Sequence, residues 1–235
     1  MRIAAITDIG LHRQKNEDHY LIEEDRCVFA VCDGMGGHKG GNVASQMAVE
    51  TVQKHLVFTQ PEEIVPALLA TVHLANRLIY EQGQTDEALH EMGTTFTAAV
   101  IWAGKMVVAH VGDSSLFIFR EGKLSKVTRD HTLAERMVTD GLIKLADLAT
   151  NAYNHVLTRA VGINPEVEVD IYQEPIKFGD WILLCTDGLT DLVKEEEIAL
   201  HLSLAHTPQE TAQALVDSAL GQGGHDNITV VLISI

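Results

Sequence analysis

The chain has 235 residues, of which 46% are hydrophobic and 21% charged, so it is long enough and apolar enough to form a substantial globular core. Its 33 acidic and 17 basic residues give a formal net charge of −16, which argues against nucleic acid or an anionic membrane as a partner. No apolar run reaches the length of a membrane span, and the N-terminus becomes polar too early for a signal peptide, so we expect a cytoplasmic protein.

Strand-like runs and helical periodicities follow one another without a linker or a repeat. The patterns predict strands over 2–7, 18–23, 27–32, 94–102, 106–111, 116–119, 166–172, 180–185 and 228–235, and helices over 42–56, 62–82 and 208–220. Antiparallel strands with separate helices indicate an α+β fold, with sheet packed on sheet or under helices. We predict one domain over residues 1–235, and since nothing requires an oligomer we expect a monomer.

Aspartates stand at the ends of several predicted strands. Asp18 begins the second strand and Asp33 follows the third, so an antiparallel hairpin places these two carboxylates side by side. A later hairpin brings Asp113 to a sheet edge in the same way. Asp187 follows its strand whereas Asp226 precedes the next one, so these two meet only if their strands are antiparallel. Carboxylates held rigidly at strand ends are suitable ligands for a hard divalent cation.

The segment Asp33-Gly34-Met35-Gly36-Gly37-His38 has two interpretations. Three glycines among six residues permit unusual backbone angles and let a carbonyl approach a ligand closely, which suits a metal site. The same composition suits a tight turn from strand to helix. His38 is a candidate general acid because an ordinary histidine titrates near neutrality, although a histidine in such a loop is more often a solvated side chain.

The other candidate residues also have structural alternatives. Arg13 precedes two acids in a loop, and its guanidinium can grip a phosphate through two parallel hydrogen bonds, but a mixed-charge surface loop is the simpler explanation of that segment alone. Asp113 and Asp187 stand beside glycines and suit turns, and Asp226 suits a closing loop. The recurrence of aspartates at strand ends is what argues for a common site.

A set of motifs occurs in a fixed order along the chain: Arg13, Asp18, Asp33-Gly34-Met35-Gly36-Gly37-His38, Gly112-Asp113-Ser114, Thr186-Asp187-Gly188 and Asp226-Asn227. In order and spacing they resemble the metal-dependent protein phosphatase family, type 2C (PPM), and the length resembles its compact bacterial single-domain members. The resemblance spans essentially the whole chain. It implies a four-layer αββα sandwich, in which two antiparallel β-sheets are flanked by helix pairs.

The resemblance also implies two Mn²⁺ or Mg²⁺ ions in a cleft at one end of the sheets. By matching motif positions, Asp33 would bridge both ions, Asp187 and Asp226 would complete the first, and the Gly34 carbonyl would bind the second. Bacterial relatives hold a weaker third ion, which here would fall to Asp113 and Asp187. These assignments follow from the resemblance alone.

Further roles are implied around these ions. Glu17 and Asp18 would lie close by and orient metal-bound waters, with Asn227 beside the ligands. Arg13 matches the phosphate-gripping arginine of the family, and His38 matches its proposed acid. The implied site therefore has separate residues for the ions, the phosphate and the leaving group.

The implied enzyme is a serine/threonine protein phosphatase. In such an enzyme a hydroxide bridging two cations would attack phosphorus in line with the departing seryl or threonyl oxygen, so no phosphoenzyme would form. Arg13 would offset charge on the phosphoryl oxygens and His38 would protonate the leaving group. The expected partners are phosphoproteins, in particular the substrates of a bacterial serine/threonine kinase.

Two departures limit what the resemblance implies. Ser115 stands where the family often has arginine after Gly-Asp-Ser. The expected flap, around 130–162, lacks the His-Pro dipeptide that relatives commonly show before Leu-Thr-Arg-Ala. Because loops that border a site carry specificity, the substrate choice of relatives cannot be transferred through this segment.

Two other functions compete with this hypothesis. One is a catalytically silent phosphoprotein-binding domain on the same scaffold, although clustered carboxylates without cations repel one another. The other is a small-molecule phosphatase or nucleotidase. The chain lacks a His-Cys-x5-Arg motif and an Asp-x-Asp nucleophile motif, which argues against any covalent intermediate.

Overall fold

The computed structural model of the chain describes residues 1–36, 40–204 and 206–235, with strands numbered here in chain order. One antiparallel sheet has the order β1 (Arg2–Asp8), β11 (Ile228–Ser234), β10 (Trp181–Cys185), β7 (Ser115–Arg120) and β8 (Lys123–Lys126). The second has the order β2 (Asp18–Glu23), β3 (Val28–Met35), β5 (Phe96–Trp102), β6 (Lys105–Val111) and β9 (Asp170–Pro175), with β4 (Gly93–Thr94) paired to β3.

The two sheets pack face to face through alternate residues of their strands. Phe29 and Val31 of β3 point to one side and join a buried cluster with Leu116 of β7 and Ile182 of β10. Side chains of a strand alternate between its two faces, so one strand can line the interior between the sheets and also face a helix layer. The intervening residues of β3, such as Ala30, accordingly belong to a different cluster that includes the helices.

Helices cover both outer faces. α1 (Gly40–His55) and α2 (Ile64–Thr85) pack on the sheet of β3, while α5 (Glu195–Ser203) and α6 (Pro208–Gly221) pack on the sheet of β11. Two short helices, α3 (Leu133–Thr139) and α4 (Asp187–Thr190), lie outside these pairs. The predicted α+β sandwich of four layers, αββα, is therefore confirmed. Within the described ranges, no helix is both long and apolar enough to cross a membrane.

The structure differs from the predicted elements where the apolar pattern is weak. β8, α3, α4 and α5 were not predicted, and α5 shows why, because only Ile198 and Leu202 of its residues are buried. β9 pairs with β6 over Asp170–Pro175 rather than over 166–172. The alternating Val167 and Val169 pack against the helix-facing cluster without joining the ladder, so their periodicity reflects packing and not strand pairing.

Candidate metal centre

The hairpin of β2 and β3 places two aspartates side by side. Asp18 is directly opposite Asp33 in the antiparallel register, as the sequence predicts. β10 and β11 are also antiparallel, with Cys185 opposite Val230, so the end of β10 and the start of β11 lie at the same edge. The condition under which Asp187 and Asp226 can meet is therefore fulfilled.

Asp18 is buried and joins the two sheets. Its Oδ2 atom accepts hydrogen bonds from Thr186 Oγ1 at 2.8 Å and from Thr229 Oγ1 at 2.7 Å. Its Oδ1 atom is buried and has no hydrogen-bond partner among the described residues. Burial raises the pKa of Asp18 to about 7, with further contributions from the charges of Asp187 and Asp226, although the two threonine hydrogen bonds act in the opposite direction.

The main chain of Asp33 is fixed on both sides. Its N–H donates to Thr95 Oγ1 at 2.8 Å, and its carbonyl accepts from Thr95 N at 2.8 Å and from Thr94 Oγ1 at 2.9 Å. Burial raises the pKa of Asp33 well above its ordinary value, and the charges of Asp18 and Asp187, then that of Asp113, raise it further. The backbone that carries this carboxyl group is thus fixed beside other carboxyl groups.

Asp187 and Asp113 belong to the same concentration of negative charge. The pKa of Asp187 is raised by burial and then by the charge of Asp226, and its Oδ1 atom is buried without a hydrogen-bond partner among the described residues. The pKa of Asp113 is raised well above its ordinary value by burial and then by Asp187, Asp130 and Asp191. The carboxylates predicted from separate strand ends therefore influence one another directly.

Arg13 lies at the exposed side of this cluster. Its Nη2 atom donates to Asp226 Oδ2 at 2.6 Å, and 53% of its side chain is exposed. The hydrogen bond with Asp226 is the main cause that raises the pKa of Arg13, with smaller contributions from Asp33 and Asp187. Because a guanidinium carries five N–H donors, Arg13 can keep this contact and still present donors to an anion.

Asn227 organises the loop that carries Arg13 and Glu17. Its Oδ1 atom accepts from the N–H of Glu17 at 2.8 Å, and its Nδ2 atom donates to the carbonyls of Ile9 and Lys15 at 2.9 Å each. All the hydrogen bonds of its amide group thus go to backbone. Asn227 therefore positions the loop relative to β11, a role that the sequence did not reveal.

Gly34 fits a space that no other residue can occupy. A Cβ atom at this position would lie 2.1 Å from the Gly41 carbonyl oxygen. The N–H of Gly34 donates to the Glu17 carbonyl at 3.2 Å, so strand β3, the start of α1 and the Glu17 loop meet closely here. The side chain of His38, the predicted acid, lies outside the described residues.

The donor set fits hard divalent cations. Five aspartates gather at one edge: Asp18, Asp33, Asp113, Asp187 and Asp226. The buried oxygens of Asp18 and Asp187 that find no hydrogen-bond partner within the described ranges are atoms that a cation would satisfy. Carboxylate oxygens suit Mg²⁺ and Mn²⁺. The mutual repulsion that raises these pKa values would also be offset by bound cations.

Two further residues join this cluster that the sequence analysis did not identify. His155 and Asp191 each present a ligand atom that, with one from Asp187, forms a set lying within 4.8 Å of one another. Asp191 follows Asp187 by one helical turn, so the position of α4 is enough to predict that the two side chains lie on the same side. His155 lies in the aperiodic 130–162 segment, where no sequence pattern points to it.

Comparisons with known proteins match this architecture to one family. The family described as Protein phosphatase 2C matches residues 12–221. The serine/threonine phosphatase stp of Listeria monocytogenes serotype 4b (strain F2365) is 35% identical over 234 residues, which cover 97% of this chain and 93% of that protein.

Solved structures agree with the sequence match. The Mycobacterium tuberculosis serine/threonine phosphatase PstP/Ppp superimposes with a TM-score of 0.92 at 35% identity, covering 98% of this chain and 97% of that one. The catalytic domain of PstP in complex with two manganese ions gives a TM-score of 0.88 at 34% identity, covering 98% and 96%.

Proposed function

This chain belongs to the protein phosphatase 2C family of serine/threonine phosphatases, and we propose that it hydrolyses phosphoserine and phosphothreonine in proteins by direct attack of water on phosphorus, without a phosphoenzyme. The observation that carries the proposal is the gathering of Asp33, Asp187 and Asp226 near buried carboxylate oxygens of Asp18 and Asp187 that have no hydrogen-bond partner in the described part of the chain. The resemblance stated from the sequence is confirmed by the family match.

The proposed cofactors are two Mn²⁺ or Mg²⁺ ions, in keeping with the two manganese ions in the related PstP structure. Asp33, Asp187, Asp226 and the Gly34 carbonyl would hold them, and Asp113 would contribute to a weaker third site. When bound, such ions lower the pKa of a coordinated water and stabilise charge on a phosphoryl group. The hydrogen bonds to the main chain of Asp33 fix the backbone that carries its carboxylate.

The remaining residues have proposed roles of their own. Arg13 would bind the substrate phosphate through the donors that Asp226 leaves available, since its side chain is largely exposed. Glu17 and Asp18 would orient water, and Asn227 would hold the loop of Glu17 in place. His38 is proposed to protonate the departing seryl or threonyl oxygen.

The wider setting stays a prediction. We propose residues 1–235 as one catalytic domain with a flap in the 130–162 segment, and phosphoproteins made by a bacterial serine/threonine kinase as substrates. The relatives are bacterial phosphatases, which supports this class of substrate. A monomeric state and a cytoplasmic location also remain predictions.

The decisive experiment measures phosphate release from a phosphothreonine peptide with Mn²⁺. We expect turnover by the natural chain and none above background for Asp33→Asn or Asp187→Asn, while Asp217→Asn, an exposed carboxylate on α6, keeps full activity. Turnover that survives excess chelator would contradict the metal mechanism. No turnover by the natural chain would favour the silent binding domain, and preference for a nucleotide over the peptide would favour a small-molecule phosphatase.

A further inference from the structure

The turn that carries Asp113 crosses from one sheet to the other between β6 and β7. Gly112, at its start, has a φ of +107°, and a Cβ atom there would lie 2.7 Å from the Cβ and Cγ2 atoms of Thr95. Glycine is the residue that fits both this conformation and this space. Because Gly112 has no side chain with which to hold the turn, its position depends on the hydrogen bonds of its backbone.

His131 bonds to both hydrogen-bonding groups of the Gly112 backbone. The Gly112 N–H donates to His131 Nδ1 at 3.1 Å, and the Gly112 carbonyl accepts from the His131 N–H at 2.7 Å. The imidazole is buried, with 7% of the side chain exposed. A buried N–H group that loses its acceptor is destabilised, so the imidazole contributes to fixing the turn.

The Gly112 contact determines the tautomer of His131. A ring nitrogen that accepts a hydrogen bond carries no proton, so the single proton of the neutral imidazole lies on Nε2. Nε2 is 3.2 Å from Asp170 Oδ2 of β9, to which it can donate. Asp170 therefore orients the ring so that Nδ1 faces Gly112.

Arg159 approaches the same side of the ring but bonds to Asp170. Its Nη1 atom is 3.3 Å from His131 Nε2, yet a guanidinium only donates, and this atom donates to Asp170 Oδ1 at 2.8 Å. Burial lowers the pKa of His131, and the charge of Arg159 lowers it further, although the hydrogen bond with Asp170 acts in the opposite direction. The neutral ring that the Gly112 contact requires is therefore favoured.

His131 also lies at the base of the 130–162 segment. Its carbonyl accepts from Thr158 N at 2.7 Å, and the adjacent Thr132 forms a β-bridge with Leu157. These backbone contacts join the two ends of the segment to each other. The residue that bonds to Gly112 is therefore held by the segment as well as by β9.

The other side of the Asp113 turn is connected to Asp33. A hydrogen bond of 2.7 Å joins Ser114 Oγ to Thr95 Oγ1, and the same Thr95 oxygen accepts from the Asp33 N–H at 2.8 Å. Asp113 thus lies between two supports, one leading to Asp33 and the other to His131. Without the second support the turn would be held on one side only.

We propose that His131 is a positioning residue for the phosphatase reaction, which holds the Gly112–Asp113 turn through Nδ1 and connects it to the base of the 130–162 segment. It adds no ligand to the centre and acts through Asp113, whose carboxylate it keeps beside that of Asp187. The inference rests on the proposed function, because it concerns the placement of a carboxylate that this function uses.

Two substitutions separate the roles of the two ring nitrogens. In His131→Asn the amide oxygen can replace Nδ1 and accept from Gly112. In His131→Gln the amide nitrogen can replace Nε2 and donate to Asp170, but Gly112 is left without its acceptor. We expect His131→Gln to raise the Mn²⁺ concentration for half-maximal hydrolysis of a phosphothreonine peptide about 10- to 100-fold, and His131→Asn to recover most of that loss. His73→Gln, at an exposed histidine of α2, should leave it unchanged.

Nuclear magnetic resonance of the protein in excess Mg²⁺ tests the contact without turnover. The ¹⁵N shifts of His131 in the natural chain should place the proton on Nε2. The Gly112 amide should exchange with solvent slowly in the natural chain and in His131→Asn, and about tenfold faster or more in His131→Gln.

The outcomes separate this inference from the proposed function. A proton on Nδ1 of His131 would overturn the inference, and so would equal losses of activity in His131→Asn and His131→Gln or an unchanged Mn²⁺ requirement in His131→Gln. In each of these cases turnover by the natural chain would leave the proposed function standing. Absence of turnover by the natural chain, with the Gly112 amide protected as expected, would overturn the proposed function and with it the role of the contact in the reaction.

Discussion

Thr229 of β11 donates a 2.7 Å hydrogen bond from its Oγ1 atom to Oδ2 of Asp18 in β2, and this bond connects the two sheets at the edge where the carboxylates gather. Thr186 donates to the same oxygen at 2.8 Å from the end of β10. Because Asp18 is directly opposite Asp33, the two threonines fix the spacing between the sheets beside the central aspartate. Two hydroxyl groups thus determine how the halves of the site meet.

Replacement of Thr229 by valine should lower stability and weaken metal binding. Thr229→Val preserves the shape of the side chain but removes a donor from a buried carboxylate, which we expect to reduce the free energy of unfolding by about 1 to 3 kcal/mol. Urea denaturation in the presence of chelator measures this change. Thr7→Val is the comparison variant, because Thr7 is bonded to the same hydroxyl of Thr229 at 2.8 Å and to Asn16 Nδ2 at 2.7 Å, and it has no hydrogen bond with Asp18 among the described residues. No loss of stability in Thr229→Val would mean that the contact with Asp18 contributes nothing.

The metal-free protein should be more stable in mild acid than in mild base. A carboxyl group whose folded pKa is raised contributes stability that is fully present below its unfolded pKa and is lost as the pH rises through its folded pKa. For Asp18 the window runs from the ordinary value of 3.8 to about 7. The melting temperature of the chelated protein should therefore fall between about pH 4 and pH 7.

Asp18→Asn and added Mn²⁺ provide the controls for this pH dependence. The asparagine does not titrate, so the variant should show a shallower fall over the same range. Saturating Mn²⁺ should reduce the fall in melting temperature, because cations bind the ionised carboxylates. A chelated natural chain whose melting temperature rises steadily from about pH 4 to about pH 7 would contradict the charge repulsion inferred at the centre.

Local pairing is the part of the site that the sequence could predict. Asp18 is paired with Asp33 across a short hairpin, and the register of that hairpin is set by its turn and by the alternation of apolar residues. The antiparallel relation of β10 and β11 was needed to bring Asp187 and Asp226 to one edge, and it is also observed. The hairpin of β2 and β3 follows from its short turn, whereas the direction of β11 relative to β10, which is separated from it by three helices, was left open by the sequence.

Contacts between distant segments are what the sequence could not supply. The hydrogen bond from Thr186 to Asp18 joins residues 168 positions apart, and it exists only because two sheets stack. His155 reaches Asp191 from a segment without periodicity, so no apolar pattern fixes its place. The amide of Asn227 likewise bonds to backbone 210 positions away at Glu17. Such contacts follow from tertiary packing and not from local propensity.

Gly34→Ala should disrupt the site through its backbone. The added Cβ atom would meet the Gly41 carbonyl oxygen at 2.1 Å, and backbone atoms cannot yield as a flexible side chain would. We expect a loss of stability of more than about 2 kcal/mol, with loss of Mn²⁺ affinity measured by calorimetry. The matched control is Gly221→Ala at the end of α6. Apart from its chain neighbours and the backbone of its own helix, no atom of the described residues lies within 4 Å of the added Cβ, so this variant should be neutral or stabilising. A Gly34→Ala protein as stable as the Gly221→Ala protein would contradict the close approach of β3 and α1.

Asp33→Asn should abolish activity while making the metal-free protein more stable. The substitution keeps the shape of the side chain but removes the charge that Asp18, Asp187 and Asp113 repel. We expect a gain of about 0.5 to 2 kcal/mol in the chelated state, measured by thermal unfolding. In saturating Mn²⁺ the natural chain should become more stable than the variant, because it gains binding energy that the variant lacks.

The control is Asp217→Asn, which removes the same charge from an exposed position on α6. It should change the stability of neither the chelated nor the Mn²⁺-bound protein. A chelated Asp33→Asn protein that is less stable than the chelated natural chain would contradict the charge repulsion inferred at Asp33.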